Sequence, residues 1–172
     1  SAAVSVNVSN GTTCAPAAQL LLNPGFESGA VSWTTTSGVI TTGTSTRPTR
    51  TGSYYAYMNG YGSTRTDTVY QQITIPSTAC SATFSFWLKI TTAETTTTSA
   101  FDKLTVTVKN SSGTTLATLA TYSNLNKGTT YVQRSFDLAA YKGQTIRVHF
   151  NGAEDSTLQT SFFVDDTALN IQ

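Results

Sequence analysis

Carboxylates are scarce in this chain, and several stand where chemistry would need them. Only nine of the 172 residues are Asp or Glu. Glu27 lies in residues 20–33, LLLNPGFESGAVSW. There Pro24 pre-sets φ, and Gly25 can take a positive φ or admit a close backbone approach, so the glutamate is held on a bend. A carboxylate fixed beside turned carbonyl oxygens suits a hard cation such as calcium, which takes both kinds of oxygen in flexible geometry. A solvated loop glutamate is the plain alternative. Asp165 and Asp166 interrupt the apolar run SFFVDDTAL. Two adjacent carboxylates inside a strand are costly unless a cation or hydrogen bonds satisfy them. Phe162 and Val164 precede the pair and Leu169 follows on the other parity, the phase shift that a β-bulge produces. A bulge presents carbonyls as well as carboxylates, which makes this pair a stronger metal candidate than Glu27 alone. The two sites meet if the first and last strands pair.

A second kind of chemistry is recognition of sugars, which needs flat aromatic faces for pyranose rings and a few fixed polar groups for hydroxyls. Period-two reading puts Phe84, Phe86, Leu88 and Ile90 on a core face and Ser85, Trp87 and Lys89 on the other. Leu104, Val106 and Val108 oppose Thr105, Thr107 and Lys109 in the same way, and Ile146, Val148 and Phe150 oppose Arg147 and His149. Trp87, with Tyr131, Gln133, Arg147 and His149, would form a platform if these strands are neighbours. The loop alternative is the tyrosine-rich stretch between Gly52 and Gly62, with Tyr54, Tyr55, Tyr57 and Tyr61. Each has a bland reading: alternate tyrosines must face the core, Trp87 can cover a hydrophobic edge, and His149 reads as a plain surface histidine.

The elements that would carry these residues are strands. Short alternating runs separated by Gly, Asn, Ser and Thr clusters predict strands over 31–36, 38–42, 54–59, 67–75, 83–91, 103–110, 115–121, 130–138, 144–151 and 161–170. About ten short strands with turn signals between them imply an all-β sandwich or barrel. Asn110-Ser111-Ser112-Gly113 is a hairpin signal. Residues 1–17 read as a linker or the last strand of a preceding domain, since Val4, Val6 and Val8 alternate with polar residues; residues 18–172 form the module. A chain of 172 residues suits one core, and charged residues at 11% with a net charge of +1 disfavour an electrostatic nucleic-acid binder. No run is apolar enough to span a membrane, and no basic segment leads into an apolar one, so the chain reads as a mature or excised fragment. Cys14 and Cys80 allow one disulfide in an oxidising compartment, or two free thiols.

Together, LLLNPGFESGAVSW, TGSYYAYM at 51–58 and SFFVDDTAL resemble the calcium-stabilised jelly-roll carbohydrate-binding modules, the galactose-binding-like group, over nearly the whole chain from Gln19. The resemblance implies a jelly-roll sandwich of two antiparallel sheets and a structural calcium, held by the backbone of Gly25, the Glu27 side chain, the backbone near Gly52 and Ser53, and Asp165, with Asp166 beside them. It also implies a secreted, extracellular, monomeric and non-catalytic accessory module of a multidomain bacterial hydrolase, with polysaccharide and the parent's other domains as partners. FSFWLKI, Glu94 and the run from Phe101 to Val106 are similar to MAM-like C-terminal modules of secreted peptidases. In that reading the module serves protein interaction or stability, and Glu94, Asp102 and Asp155 form a second cation site. Catalysis finds little support. Glu94 and Asp102 are the one conceivable carboxylate pair for glycoside chemistry, and there is no nucleophile elbow or histidine metal motif.

Overall fold

Threonines, β-branched residues and aromatics alternate along most of the chain, a pattern that fits a pleated, half-buried surface. In the computed structural model, which describes residues 13–172, they form eleven strands. These are β1 (Ala18–Gln19), β2 (Thr34–Thr35), β3 (Ile40–Thr42), β4 (Tyr54–Asn59), β5 (Arg65–Thr74), β6 (Ala82–Thr92), β7 (Lys103–Asn110), β8 (Thr115–Ser123), β9 (Val132–Asp137), β10 (Thr145–Glu154) and β11 (Thr160–Ile171). Sheet 1 has the order β3-β4-β11-β6-β9, with β1 also on β11, and sheet 2 the order β2-β5-β10-β7-β8. The pairings are antiparallel, and the two sheets enclose one core, the jelly-roll sandwich expected from the sequence.

The inward residues are those that period two selects. Phe84, Phe86, Leu88 and Ile90 of β6 face Leu104, Val106 and Val108 of β7 and Ile146, Val148 and Phe150 of β10, all buried. Phe86 meets Phe150 edge to face at 4.9 Å between ring centroids, the geometry that aromatic quadrupoles favour. The last strand, β11, lies at the centre of sheet 1 between β4 and β6. Its register against β6 shifts between Asp165 and Ala168, and Asp166 has φ of 43°. The bulge read from the parity change is therefore present.

The N-terminal part differs from expectation. The Val4–Val8 alternation and most of the 1–17 linker segment lie outside the described residues. The apolar Leu20–Leu22 run does not begin a strand: β1 ends at Gln19, and Leu22 exchanges both backbone bonds with the buried Gln71 side chain. The strand predicted over 31–36 contracts to Thr34–Thr35, because residues before it turn on themselves. Ser32 has φ of 68°, and the Trp33 amide bonds the Ala30 carbonyl. Gly25 does not carry the positive φ of the bend; Asn23 (48°) and Phe26 (62°) do. The Asn23 side chain makes this tolerable, donating to Gly29 and Val31 carbonyls and accepting from Ser28, while Phe26 packs against Trp33 at 4.9 Å.

Cys14 and Cys80 are joined, with Cα atoms 5.3 Å apart and a sequence separation of 66. The bond ties the segment before β1 to the start of β6. Cross-linking a loop of that size restricts the unfolded chain by up to about 4 kcal/mol. Replacing both cysteines by serine is expected to lower unfolding free energy by about 2–4 kcal/mol in urea titration, with the folded β-sheet circular dichroism unchanged.

Candidate cation clasp and aromatic face

The acids of the two end motifs converge on one loop, residues 43–53, which joins β3 to β4 and folds back over the outer face of sheet 1. Asp165 is fully buried. Its Oδ2 accepts the Arg50 amide at 2.8 Å and the Thr51 amide at 3.4 Å, and its Oδ1 accepts the Asp166 amide at 2.8 Å. Glu27 closes the other side, with Oε2 and Oε1 accepting the amides of Ser53 (2.8 Å) and Tyr54 (3.0 Å). Asp166 pairs with the Arg50 guanidinium at 2.6 Å and accepts the Thr51 hydroxyl. Thr167 returns to Pro24, both its amide and its hydroxyl donating to that carbonyl. Gly52 must be glycine here: its φ is +61°, and a Cβ would lie 2.2 Å from Glu27 Oε1. Gly25 is likewise close to the acids, its added Cβ falling 3.6 Å from Asp166 Oδ1.

Burial raises the Asp165 carboxyl to about 6, against the opposing pull of the Arg50 and Asp166 amides. The side-chain oxygens of the clasp are the ligand type a hard divalent ion takes, but those of Asp165 and Glu27 already accept backbone amides, so an ion would have to use their remaining lone pairs. Among the described residues no three acid, His or Cys side chains gather tightly enough to enclose a metal. An ion held at Glu27 and Asp165 would therefore also use carbonyl oxygens of the two loops.

The same loop covers the sequence-predicted platform. Trp87, Tyr131 and Gln133 do share the outer face of sheet 1 with Tyr55, Tyr57, Phe163 and Lys89, as the registers Trp87↔Gln133 and Phe163↔Tyr57 require. However, the Arg50 guanidinium sits 3.7 Å over the Trp87 ring, and the Tyr131 hydroxyl donates to the Pro48 carbonyl. Tyr55 stacks on Phe163 with an interplanar angle of 5°. Tyr55, Phe163 and Lys89 are buried beneath the loop. Trp87 is thus a covered wall and not an open platform, because Arg50 of the RPTR segment supplies its stacking partner. Arg147 and His149 lie on the outer face of sheet 2, on the opposite side of the sandwich, so the expected single platform is divided. His149 is also not a plain surface residue: it is 7% exposed, stacked on Tyr70 at 5.5 Å and flanked by Arg147, which bonds Gln72 and the Ser111 carbonyl.

What remains open is a cleft of about 310 Å³ beside the loop, lined by Gly38, Thr41, Thr42, Thr44, Arg47, Tyr55, Tyr57 and Tyr61. It contains three of the four tyrosines named from the sequence, Tyr55, Tyr57 and Tyr61. Arg47, which the sequence reading passed over, lies 4.8 Å above Tyr57, and Tyr57 is pinned by its hydroxyl to Ser161 at 2.9 Å. The only advance signal of Arg47 is a cation placed between Gly43 and Gly52, within reach of the tyrosine stretch. Hydroxyls, flat rings and a planar cation in one recess can hold a sugar by stacking and bidentate hydrogen bonding.

The second acid group is brought together elsewhere. Asp102 is fully buried, its oxygens accepting the Asp155 amide and the Thr160 hydroxyl. Burial, with Asp102 and Asp155 nearby, pushes the Glu94 carboxyl up, and Glu94 Oε1 has no partner among the described residues. Asp102 is committed to structural hydrogen bonds, which does not suit it to act with Glu94 as a catalytic pair.

No protein-family model matches the chain, and no curated protein matches it in sequence. Solved structures do share the fold. A family 61 carbohydrate-binding module in complex with β-1,4-galactotriose superposes with a TM-score of 0.62 at 15% identity, covering 90% of this chain and 100% of that one. The CBM22-1 xylan-binding domain of Paenibacillus barcinonensis Xyn10C gives 0.52 at 15% identity, covering 88% and 94%. The K3 cleaved adhesin domain of Lys-gingipain from Porphyromonas gingivalis gives 0.54 at 15%, covering 90% and 98%.

Two outcomes test this geometry. Gly52→Ala is expected to cost about 2 kcal/mol or more, from left-handed strain plus collision with Glu27, whereas Gly29→Ala should cost only the strain, about 1 kcal/mol; urea midpoints distinguish them. Burial, Lys109 and Arg147 lower the His149 imidazole to about 4. The folded state then binds fewer protons than the unfolded chain between that value and the unfolded one near 6.5. The stability His149 contributes is present above pH 6.5 and lost as pH falls toward 4, by up to about 3 kcal/mol. Comparing wild type with His149→Gln across this window checks it, since the variant should lack this component.

Proposed function

We propose that this chain is a non-catalytic glycan-binding module, stabilised by calcium and belonging to a secreted multidomain hydrolase. The observation that carries the reading is the recess beside residues 43–53, where Tyr55, Tyr57, Tyr61 and Arg47 meet three threonines in a fold shared with sugar-binding modules. Polysaccharide recognition there would place a pyranose against Tyr57 and Tyr61, with Arg47 and the threonine hydroxyls fixing its orientation. Calcium would be held by the side chains of Glu27 and Asp165, with Gly25, Gly52, Ser53 and Asp166 contributing at the backbone or rim. The ion would add to the compensation that backbone amides already give the buried Asp165 and, through the exposed Glu27, brace the 43–53 loop. A second reading, a protein-interaction or stability module of a secreted peptidase, draws on the likeness to the gingipain adhesin domain; it keeps the clasp and dispenses with the sugar site.

Affinity electrophoresis in gels containing individual polysaccharides tests the first reading. Retardation by at least one, lost in a variant of the exposed Tyr61, Tyr61→Ala, with an unchanged melting temperature, is expected; mobility unaffected by a broad panel favours the second. Adding a chelator should lower the melting temperature, because a ligand present at 100 times its dissociation constant stabilises by about 2.7 kcal/mol. An unchanged melting temperature together with no bound metal in native mass spectrometry would overturn the calcium assignment.

A further inference from the structure

The cleft lining contains one charged side chain, Arg47, and no carboxylate. Among the described residues the ion pairs are Arg50–Asp166 and Arg65–Asp67, so the Arg47 guanidinium is held over Tyr57 without an acidic partner. Across the sheet from Tyr57 runs Phe163 and then Lys89, successive partners in the register of β4, β11 and β6. Lys89 is 9% exposed, its ammonium lying 4.5 Å from the centre of Phe163 and 5.3 Å from that of Tyr131. Arg65 stands over Tyr61 on the far rim at 4.1 Å. The acids on that side, Asp67 and Glu154, are both buried: Asp67 faces Arg65, and Glu154 accepts the Tyr61 and Gly62 amides.

Arg47 is the one unpaired cation lining the recess among the described residues. Uncompensated positive charge beside aromatic walls favours an anionic occupant, and a planar guanidinium matches a carboxylate bidentately. We propose that the glycan bound in this cleft carries uronic acid, with the uronate carboxylate on Arg47 and the sugar ring against Tyr57 and Tyr61. Lys89, beneath the loop, adds to the positive potential of the wall without touching the ligand. The inference rests on the glycan-binding reading above.

Isothermal titration with oligomers that differ only in the carboxylate tests both levels separately. The pairs are oligogalacturonates and glucuronate-substituted xylan oligomers, each against the same oligomers reduced at the carboxyl. The expected result is at least tenfold tighter binding of the acidic member in one pair. That preference should disappear in Arg47→Gln, be retained in part by Arg47→Lys, and weaken with salt, while the melting temperatures of the variants stay at the wild-type value. Equal affinity for acidic and neutral members would overturn the uronate assignment and leave glycan binding intact. No binding by either pair, or by the wider polysaccharide panel, would overturn both. Dextran sulfate is the control for charge alone: if it binds as tightly as the acidic sugar and Arg47→Gln does not weaken either, the assignment also fails.

Discussion

The structure depends on a carboxylate in the middle of a strand. Asp165 lies within β11, the central strand of sheet 1, yet its partners are amides of a loop 115 residues earlier. A buried anion of this kind must be compensated, and the compensation comes from backbone N–H groups turned inward at residues 50 and 51. Glu27 repeats the arrangement at residues 53 and 54. Three distant segments are thereby fastened at one point. The bulge at Asp165 and Asp166 is the backbone adjustment that lets two successive acids reach the same loop.

Fastening that loop determines what the outer face of sheet 1 can do. A long connection laid over a sheet needs apolar support, and Trp87, Tyr131, Tyr55 and Phe163 supply it from below while Arg47 and Arg50 supply stacking cations from above. The result is a second, smaller apolar layer outside the main core. Open surface is displaced to the edge, where the loop stops and Tyr57 and Tyr61 come out. On sheet 2 the corresponding outer face is filled differently, by Tyr70, His149 and Arg147 packing on one another.

Much of this was legible in the residues. The core faces followed from period two, because burial in a sandwich is decided residue by residue along each strand, and Phe84, Phe86, Val106 and Phe150 obey it. The bulge followed from a parity change at Asp165. The division of the platform did not, since alternation tells which way Trp87 and His149 point relative to their own strands but not which sheet each strand joins. The covering of Trp87 was hidden for a related reason: it depends on the path of residues 43–53, which have no periodicity to read. Glu27 was correctly placed near the far acids, while the positive φ expected of Gly25 belongs to Asn23 and Phe26, whose side-chain contacts stabilise a conformation that glycine would take freely.

The pairing of β1 with the end of β11, Ala18 opposite Ile171, sets the mechanics of the module. Both ends of the described chain leave from one pole of the sandwich, reinforced by the Cys14–Cys80 link and by Cys80 bonding Gln172. Tyr61 and the start of β11 lie at the other pole, about 33 Å away along ten residues of strand. Tension applied through the two ends would peel the short β1 from β11, an unzipping direction, until the Cys14–Cys80 cross-link took the load, and would leave the opposite pole unloaded. The tyrosine cleft would keep its shape under a pull that strained the attachment pole.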